Sequence, residues 1–395
     1  MTYYFIGIKG TGMASLARIL KDLGEDVLGS DIQKETFTQL DLQKNHIKIL
    51  PFDSSNIEDD YIVIRGNAFD ADHIEVAKAI SNGNKIFTYP QAVQMLIERF
   101  ISIGVAGAHG KTTTTSLLSY ALSQLDQVSY LIGDGVGKGK KDDKYFVFEA
   151  DEYRRHFSEY KPSFGIVTNI DFDHPDYFRD IDDVFEAFQE FAIHVKDTLF
   201  VFGDDKYASR LKASKIVKFG FEKNNDYIAN VISQDEYGTL FEITLLSGQK
   251  LGSIKTNITG IHGVIDTLAI TSLLHYLGFD IKQIQNAINN FPGAKRRFNI
   301  HHENNFTFID DYAHHPNEIK TTIQAARQNF PKKEIVAVFQ PHTFSRVEAF
   351  FDDYVKVLNT ADQVILTPIF GSARESNGKI SSEDLGIKLN NFEIG

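Results

Sequence analysis

The residues of this chain that could do chemistry gather where apolar runs end. The most telling group is Gly104-Val105-Ala106-Gly107-Ala108-His109-Gly110-Lys111-Thr112, between an apolar run at 100–105 and a stretch, 113–125, with apolar residues at helical spacing. Strand, glycine-rich turn and helix N-terminus together aim backbone N–H groups at an anion. In that setting Lys111 supplies charge for the outer phosphates of a nucleotide and the Thr112 hydroxyl a Mg²⁺ ligand. Gly107, Ala108, His109, Gly110 and Thr113 complete the cradle. The general phosphate-loop pattern wants glycine at 105, where Val105 stands, so only Gly-x-x-Gly-Lys-Thr is met. A glycine-rich surface turn is the plainer alternative. Against it, the β-branched run Thr112 to Thr115 opens a helix poorly on propensity alone, so hydroxyls are wanted there.

Other strand ends carry similar groups. Residues 3–8 form an apolar strand leading into Gly7-Ile8-Lys9-Gly10-Thr11-Gly12, a second pyrophosphate-like turn, although its spacing is not the dinucleotide Gly-x-Gly-x-x-Gly. Ser30 and Asp31 lie about 20 residues on, where an acid often meets a ribose or base, or else caps a turn. The strand at 145–148 ends in Glu149-Ala150-Asp151-Glu152, which reads as Mg²⁺ ligands or bases rather than an exposed acidic turn. Residues 171–176 place Asp and His in one loop; His174 either ligates a second metal or is a hydrogen-bonded structural histidine. Lys295-Arg296-Arg297 follow Pro292-Gly293 and form either a solvated run or a phosphate-facing patch in an interdomain cleft. Titratable residues crowd 310–318, 340–346 and 371–375. The glycine, lysine and aspartate stretch at 133–144 reads as a mobile, solvated loop.

These groups need a scaffold. Strands alternating with helices predict α/β units with parallel sheets, and 395 residues suggest roughly two or three domains. We place them at 1–99, 100–295 and 296–395. An apolar content of 42% with 24% charged residues fits a globular protein. No run is long enough for a membrane span and no signal peptide is visible, so the mature chain is expected to begin at Met1, in the cytoplasm. The absence of cysteine excludes disulfides and thiolate metal sites. A net charge of −12 argues against nucleic-acid binding.

Taken in order, the strand-end motifs resemble those of the Mur ligase family, and within it the alanine-adding branch of Gram-positive bacteria. The likeness rests on residues 7–13, 107–112, Glu149-Ala150-Asp151-Glu152-Tyr153, residues 168–178, Lys295-Arg296-Arg297-Phe298, residues 310–316 with His314-His315, and residues 340–346. It runs from residue 2 to about 390. The resemblance implies a Rossmann-like N-terminal domain for a UDP-sugar, a central phosphate-loop ATPase domain, and a C-terminal Rossmann-like α/β domain that is short at its end. It further implies ATP- and Mg²⁺-dependent amide formation between UDP-N-acetylmuramate and L-alanine through an acyl phosphate, by a monomer or weak homodimer. On this resemblance Lys111 holds the outer phosphates, Thr112 and Glu149 bind the first Mg²⁺, and His174 a second metal. Gly10, Thr11, Gly12, Ser30, Asp31 and Asn67 face the UDP-sugar. His109, Glu152, Arg297, Tyr312, His314, His342 and Arg346 place the muramoyl and alanine parts, with Arg346 reaching the acyl phosphate as the domains close.

The chain departs from the family pattern at four places. Gly263 and Asp266 stand where two asparagines contact adenine, which implies weaker ATP binding. Val347 replaces a threonine. No lysine lies between His174 and Val195 for carbamylation, and Glu186 is the candidate for that charge. The chain stops at Gly395, where relatives continue, so an unpaired sheet edge is expected. A silent homologue that binds the UDP-sugar is the second reading. A dehydrogenase, resting on one misspaced glycine turn, is a remote third.

Overall fold

A computed structural model describes residues 1–395 apart from 134, 236, 237, 372–374 and 376, so most of the turn expected at 371–375 lies outside the described residues. The first sheet is wholly parallel, in the order Lys48–Leu50, Asp26–Ser30, Thr2–Ile6, Ile62–Arg65, Lys85–Thr88. Thr2–Ile6 takes the middle because it is apolar on both faces. Tyr3 and Phe5 pack with helix Thr11–Asp22, while Tyr4 and Ile6 pack with Val76 and Ala79 on the other side. The strand order reverses beside Thr2–Ile6, and the glycine turn sits at that switch point, where such sheets bind ligands.

The central sheet has the order Lys250–Thr256, Gly238–Leu245, Tyr227–Asp235, Ile216–Gly220, Thr198–Phe202, Phe164–Val167, Ile101–Ala106, Tyr145–Glu149, Val128–Leu131, Gly137–Lys138. Ile101–Ala106 is flanked in parallel by Phe164–Val167 and Tyr145–Glu149. The phosphate loop therefore emerges between the acids at 149–152 and the loop at 168–176. Helix Lys111–Leu125 follows it. Helix Gly260–Tyr276 is buried along most of its length.

The stretch 133–144 is not simply a solvated loop. Gly137–Lys138 pairs antiparallel with Tyr130–Leu131 and lies against helix Thr11–Asp22. A Cβ on Gly139 would stand 2.7 Å from the Ile19 carbonyl oxygen, and the Gly139 N–H donates to Asp22 Oδ2 at 3.3 Å. Its glycines thus serve close approach between the first two domains.

The C-terminal domain holds a parallel sheet of Val336–Phe339, Gln363–Leu366 and Phe392–Ile394. The short strand Phe306–Asp310 does not join it. Phe306–Asp310 pairs antiparallel with Asn299–Glu303 across a tight turn in which Asn304 has φ 52°, the left-handed conformation that asparagine tolerates in hairpins. No helix among the described residues is long and apolar enough to cross a membrane.

Glu75, fully buried at the start of helix Ile74–Asn82, ties the first domain together. It accepts from Tyr4 Oη at 2.8 Å, Asp53 N at 3.1 Å, Asn56 Nδ2 at 3.0 Å, and the Ser30 hydroxyl. Glu75→Leu strands these donors and is expected to cost at least about 3 kcal/mol in urea unfolding, with Glu75→Gln costing clearly less. Equal losses would show that the bonds are not what matters.

Candidate functional site

Two glycines shape the phosphate loop. Gly107 has φ 153° and Gly110 φ 82°, and a Cβ on Gly107 would fall 2.0 Å from Thr168 Oγ1. The adjoining strand end holds the loop: Ala108 N donates to the Asn169 carbonyl at 3.2 Å, and His109 N to Asn169 Oδ1 at 2.9 Å. Lys111 Nζ folds back onto the Gly107 carbonyl at 2.6 Å and pairs with Glu152 at 2.8 Å. Thr112 Oγ1 donates to Glu149 Oε2 at 3.0 Å, and Gly133 N donates to the same oxygen at 3.1 Å. Of the other hydroxyls in the run, Thr115 bonds back to the Lys111 carbonyl and Thr113 is half-buried.

The electrostatics follow from burial set against neighbours. Burial disfavours the Lys111 charge, but Glu152, Asp151 and Glu149 outweigh it and keep the ammonium. Burial raises the Glu149 carboxyl, with Lys111 opposing. Glu152 is also buried, yet Lys111 and His174 hold it below the usual carboxylate range. His174, at φ 56°, lies 3.6 Å from Glu152 through Nε2, and that partner raises its pKa despite burial. Positive φ is costly for a histidine and marks a position held by its surroundings. A hydroxyl and a carboxylate on one spot form a hard oxygen donor set, so Thr112 and Glu149 fit Mg²⁺. His174 groups with Asp151 and Glu152 in a second possible metal cluster.

The C-terminal domain closes on this loop cluster. Arg346, on the short helix Phe344–Ala349, is 3% exposed and donates from Nε to Asp173 Oδ1 at 2.8 Å. Here its guanidinium binds the residue before His174, and its Nη1 donates to the His342 carbonyl at 2.6 Å. The Arg346 charge holds the buried Asp173 far below the usual carboxylate range. His109 reaches Asp171 through Nε2 at 3.1 Å and Glu318 through Nδ1 at 3.3 Å. Burial opposes its charge, but these two acids raise its pKa to about 10. Glu318 also accepts from His314 N at 3.0 Å. Burial lowers the His314 pKa, so its imidazole is neutral, with Tyr312 and His342 ring-to-ring at 5.2 and 6.0 Å. Arg297 lies over the Tyr312 ring and extends Nη2 to 3.4 Å from Thr112 Oγ1, which puts it at the phosphate loop rather than only beside substrate.

The first-domain residues divide. Asp31 accepts from Lys9 N and Ile32 N, both at 2.7 Å, and so braces the turn that carries Gly10, Thr11 and Gly12. Asn67 Nδ2 meets His156 Nε2 at 3.0 Å across to the central domain. Ser30 corrects the sequence reading: it is fully buried and its hydroxyl is given to Glu75, not presented to a ligand.

The departures also gain physical content. Gly263 has no room for a side chain, since its Cβ would stand 2.2 Å from the Ile258 carbonyl oxygen. Asp266 is buried below Gly110, whose Cβ would lie 3.1 Å from Asp266 Oδ1. Burial pushes its carboxyl up to about 7, so it carries only part of a charge near neutral pH. Val347 is fully buried in the C-terminal core. Glu186 is exposed on helix Ile181–His194; the buried acid against Lys111 is Glu152.

Sequence reasoning missed Asp171, Asp173 and Glu318 as partners. Glu318 was visible as the N3 residue of a capping box after His315-Pro316.

Comparison with known proteins agrees along the chain. Residues 2–101 match the Mur ligase family catalytic domain, 105–274 the Mur ligase middle domain, and 296–392 the Mur ligase glutamate ligase domain. The UDP-N-acetylmuramate–L-alanine ligase of Limosilactobacillus reuteri is 49% identical over 393 residues, 99% of this chain and 90% of that protein. That of Lacticaseibacillus paracasei is 50% identical over 389 residues, 98% and 89%. The crystal structure of the UDP-N-acetylmuramate–alanine ligase of Thermotoga maritima superposes with a TM-score of 0.80 at 27% identity, covering 100% of this chain and 91% of that one.

Asp266 makes stability depend on pH. Its carboxyl titrates near 3.8 when unfolded and about 7 when folded, so between those values the folded state binds more protons. Stability therefore falls as pH rises through that window and levels off above it. Asp266→Asn is expected to raise the melting temperature at pH 8 by at least about 2–4 °C, and by much less at pH 4. An equal effect at both would place the cause elsewhere.

Proposed function

The chain belongs to the Mur ligase family, and we propose that it joins L-alanine to UDP-N-acetylmuramate at the expense of ATP, in peptidoglycan precursor synthesis in the cytoplasm. The observation that carries this reading is the closure just described. Arg346 and Glu318 of the third domain bond to Asp173, on the loop after strand Phe164–Val167, and to His109, on the phosphate loop that carries Lys111. An acyl phosphate needs cations and exclusion of water, because hydrolysis is its competing fate, and the buried Arg346 and part-buried Lys111 fit that need. The names of relatives about half identical over nearly the whole chain supply the two substrates.

In the proposed reaction a carboxylate oxygen of the muramoyl group attacks the γ-phosphorus and ADP leaves. The alanine amine then attacks the acyl carbon, phosphate departs from a tetrahedral intermediate, and the amine proton is lost. Mg²⁺ held by Thr112 and Glu149 would offset phosphate charge. Lys111 and Arg297 supply fixed positive charge beside the loop, and Arg346 completes it from the third domain. Neutral His314, with Tyr312 and His342 around it, orients the incoming amine. Gly10, Thr11, Gly12 and Asn67 line the end of the first sheet, where the UDP-sugar is proposed to bind, with Asp31 bracing the turn. Asp266 below Gly110 favours one second reading, a homologue that binds the UDP-sugar and turns over poorly.

Phosphate release from Mg-ATP with UDP-N-acetylmuramate, measured with and without L-alanine, separates the two. The ligase predicts alanine-dependent release, reduced at least about 100-fold in Lys111→Met. UDP-sugar binding without any release would instead support the silent homologue.

A further inference from the structure

A group of side chains on the seam between the central and C-terminal domains has the make-up of a transition-metal site. A ring nitrogen of His109, one of His315 and a carboxylate oxygen of Asp171 lie within 4.8 Å of one another. They come from the phosphate loop, from the first residue before helix Pro316–Asn329, and from the loop after strand Phe164–Val167. Two imidazoles and a carboxylate suit zinc and its neighbours far better than Mg²⁺.

The surroundings are those of metal-binding histidines. His109 Nε2 faces Asp171, while its other nitrogen, Nδ1, meets the Glu318 carboxylate at 3.3 Å. His315 donates from Nε2 to the Phe172 carbonyl at 3.2 Å, and its Nδ1 accepts from Asn317 N at 3.3 Å, so a cation here exchanges for the second of these bonds. Carboxylate or carbonyl partners on the distal nitrogen fix ring orientation and tautomer in metal sites. The Asn317 side-chain amide steadies Asp171 at 2.5 Å. A cleft of about 460 Å³, bordered by Asp171, His315, Asn317 and Phe350, gives access from solvent.

We propose that His109, Asp171 and His315 form a binding site for a zinc-like divalent cation, distinct from the Thr112–Glu149 pair, that cross-links the phosphate loop to the C-terminal domain. A tetrahedral zinc with bonds of about 2.1 Å spaces its donors roughly 3.4 Å apart, so the three donors, now within 4.8 Å of one another, must draw together and His315 must give up one of its present partners.

Cobalt(II) reports on such a site through its visible absorption. Titrated into the full chain with Mg²⁺ in large excess, it is expected to give four-coordinate bands at one equivalent. His315→Gln and Asp171→Asn should abolish the bands. Glu318→Gln, which alters only the partner of His109 Nδ1, should weaken binding about 10–100-fold, and His174→Gln should leave it unchanged. No bands in the unmodified protein would overturn the proposal. So would bands that survive both His315→Gln and Asp171→Asn, or that vanish in His174→Gln.

Discussion

The buried pair between Arg346 and Asp173 is the contact on which the arrangement of this molecule depends. Both side chains are almost out of water, at 3% and 5% exposed. Taking two charges out of water costs several kcal/mol each, and their attraction repays this only with good geometry and further hydrogen bonds. Those are present: Asp173 Oδ1 also accepts from His174 N at 2.6 Å, and Arg346 Nη1 donates to the His342 carbonyl. Such a pair adds little net stability, yet leaving either partner buried alone costs about 3–5 kcal/mol. It therefore acts as a condition. The C-terminal domain either docks with both groups matched or stays away with both in water.

Docking on that condition sets the rest. Asp173 caps the backbone of His174, so the residue held in left-handed conformation beside Glu152 is fixed by the same carboxylate that receives Arg346. Glu318 arrives with the same domain and keeps His109 charged, while it also fixes the main chain of His314. On the far side, Gly137–Lys138 leans on helix Thr11–Asp22, so the first domain is held by glycine-mediated close approach together with the Gly139 N–H bond to Asp22 and the Asn67–His156 contact. The central domain thus joins its neighbours by two different physical means, one sensitive to ionisation and one to side-chain volume.

Much of the site was legible in the sequence because parallel strands deliver their C-terminal ends to one edge. Reading the residues after each apolar run picks out Lys111, Thr112, Glu149 and His174, the family resemblance adds Glu152, His314 and Arg346, and the structure gathers them around the loop at 107–112. What failed depended on partners remote in sequence. Ser30 looked like a ligand contact until Glu75, which buries it, was known. The stretch 133–144 looked solvated because its glycines, needed for contact with Ile19, resemble loop glycines. The burial of Asp266 under Gly110 is set by helix packing that no local pattern announces. The hairpin of Asn299–Glu303 and Phe306–Asp310 has no glycine at its Asn304-Asn305 turn to announce it.

The most direct test of this account is a double-mutant cycle on closure, using Arg346→Met, Asp173→Asn and the double variant, read by small-angle X-ray scattering. Each single variant leaves a buried partner unmatched, so each should expand the molecule, whereas the double variant should be nearer the compact starting form. If the single variants stay as compact as the parent, or if the two effects simply add, the ion pair is not what governs docking.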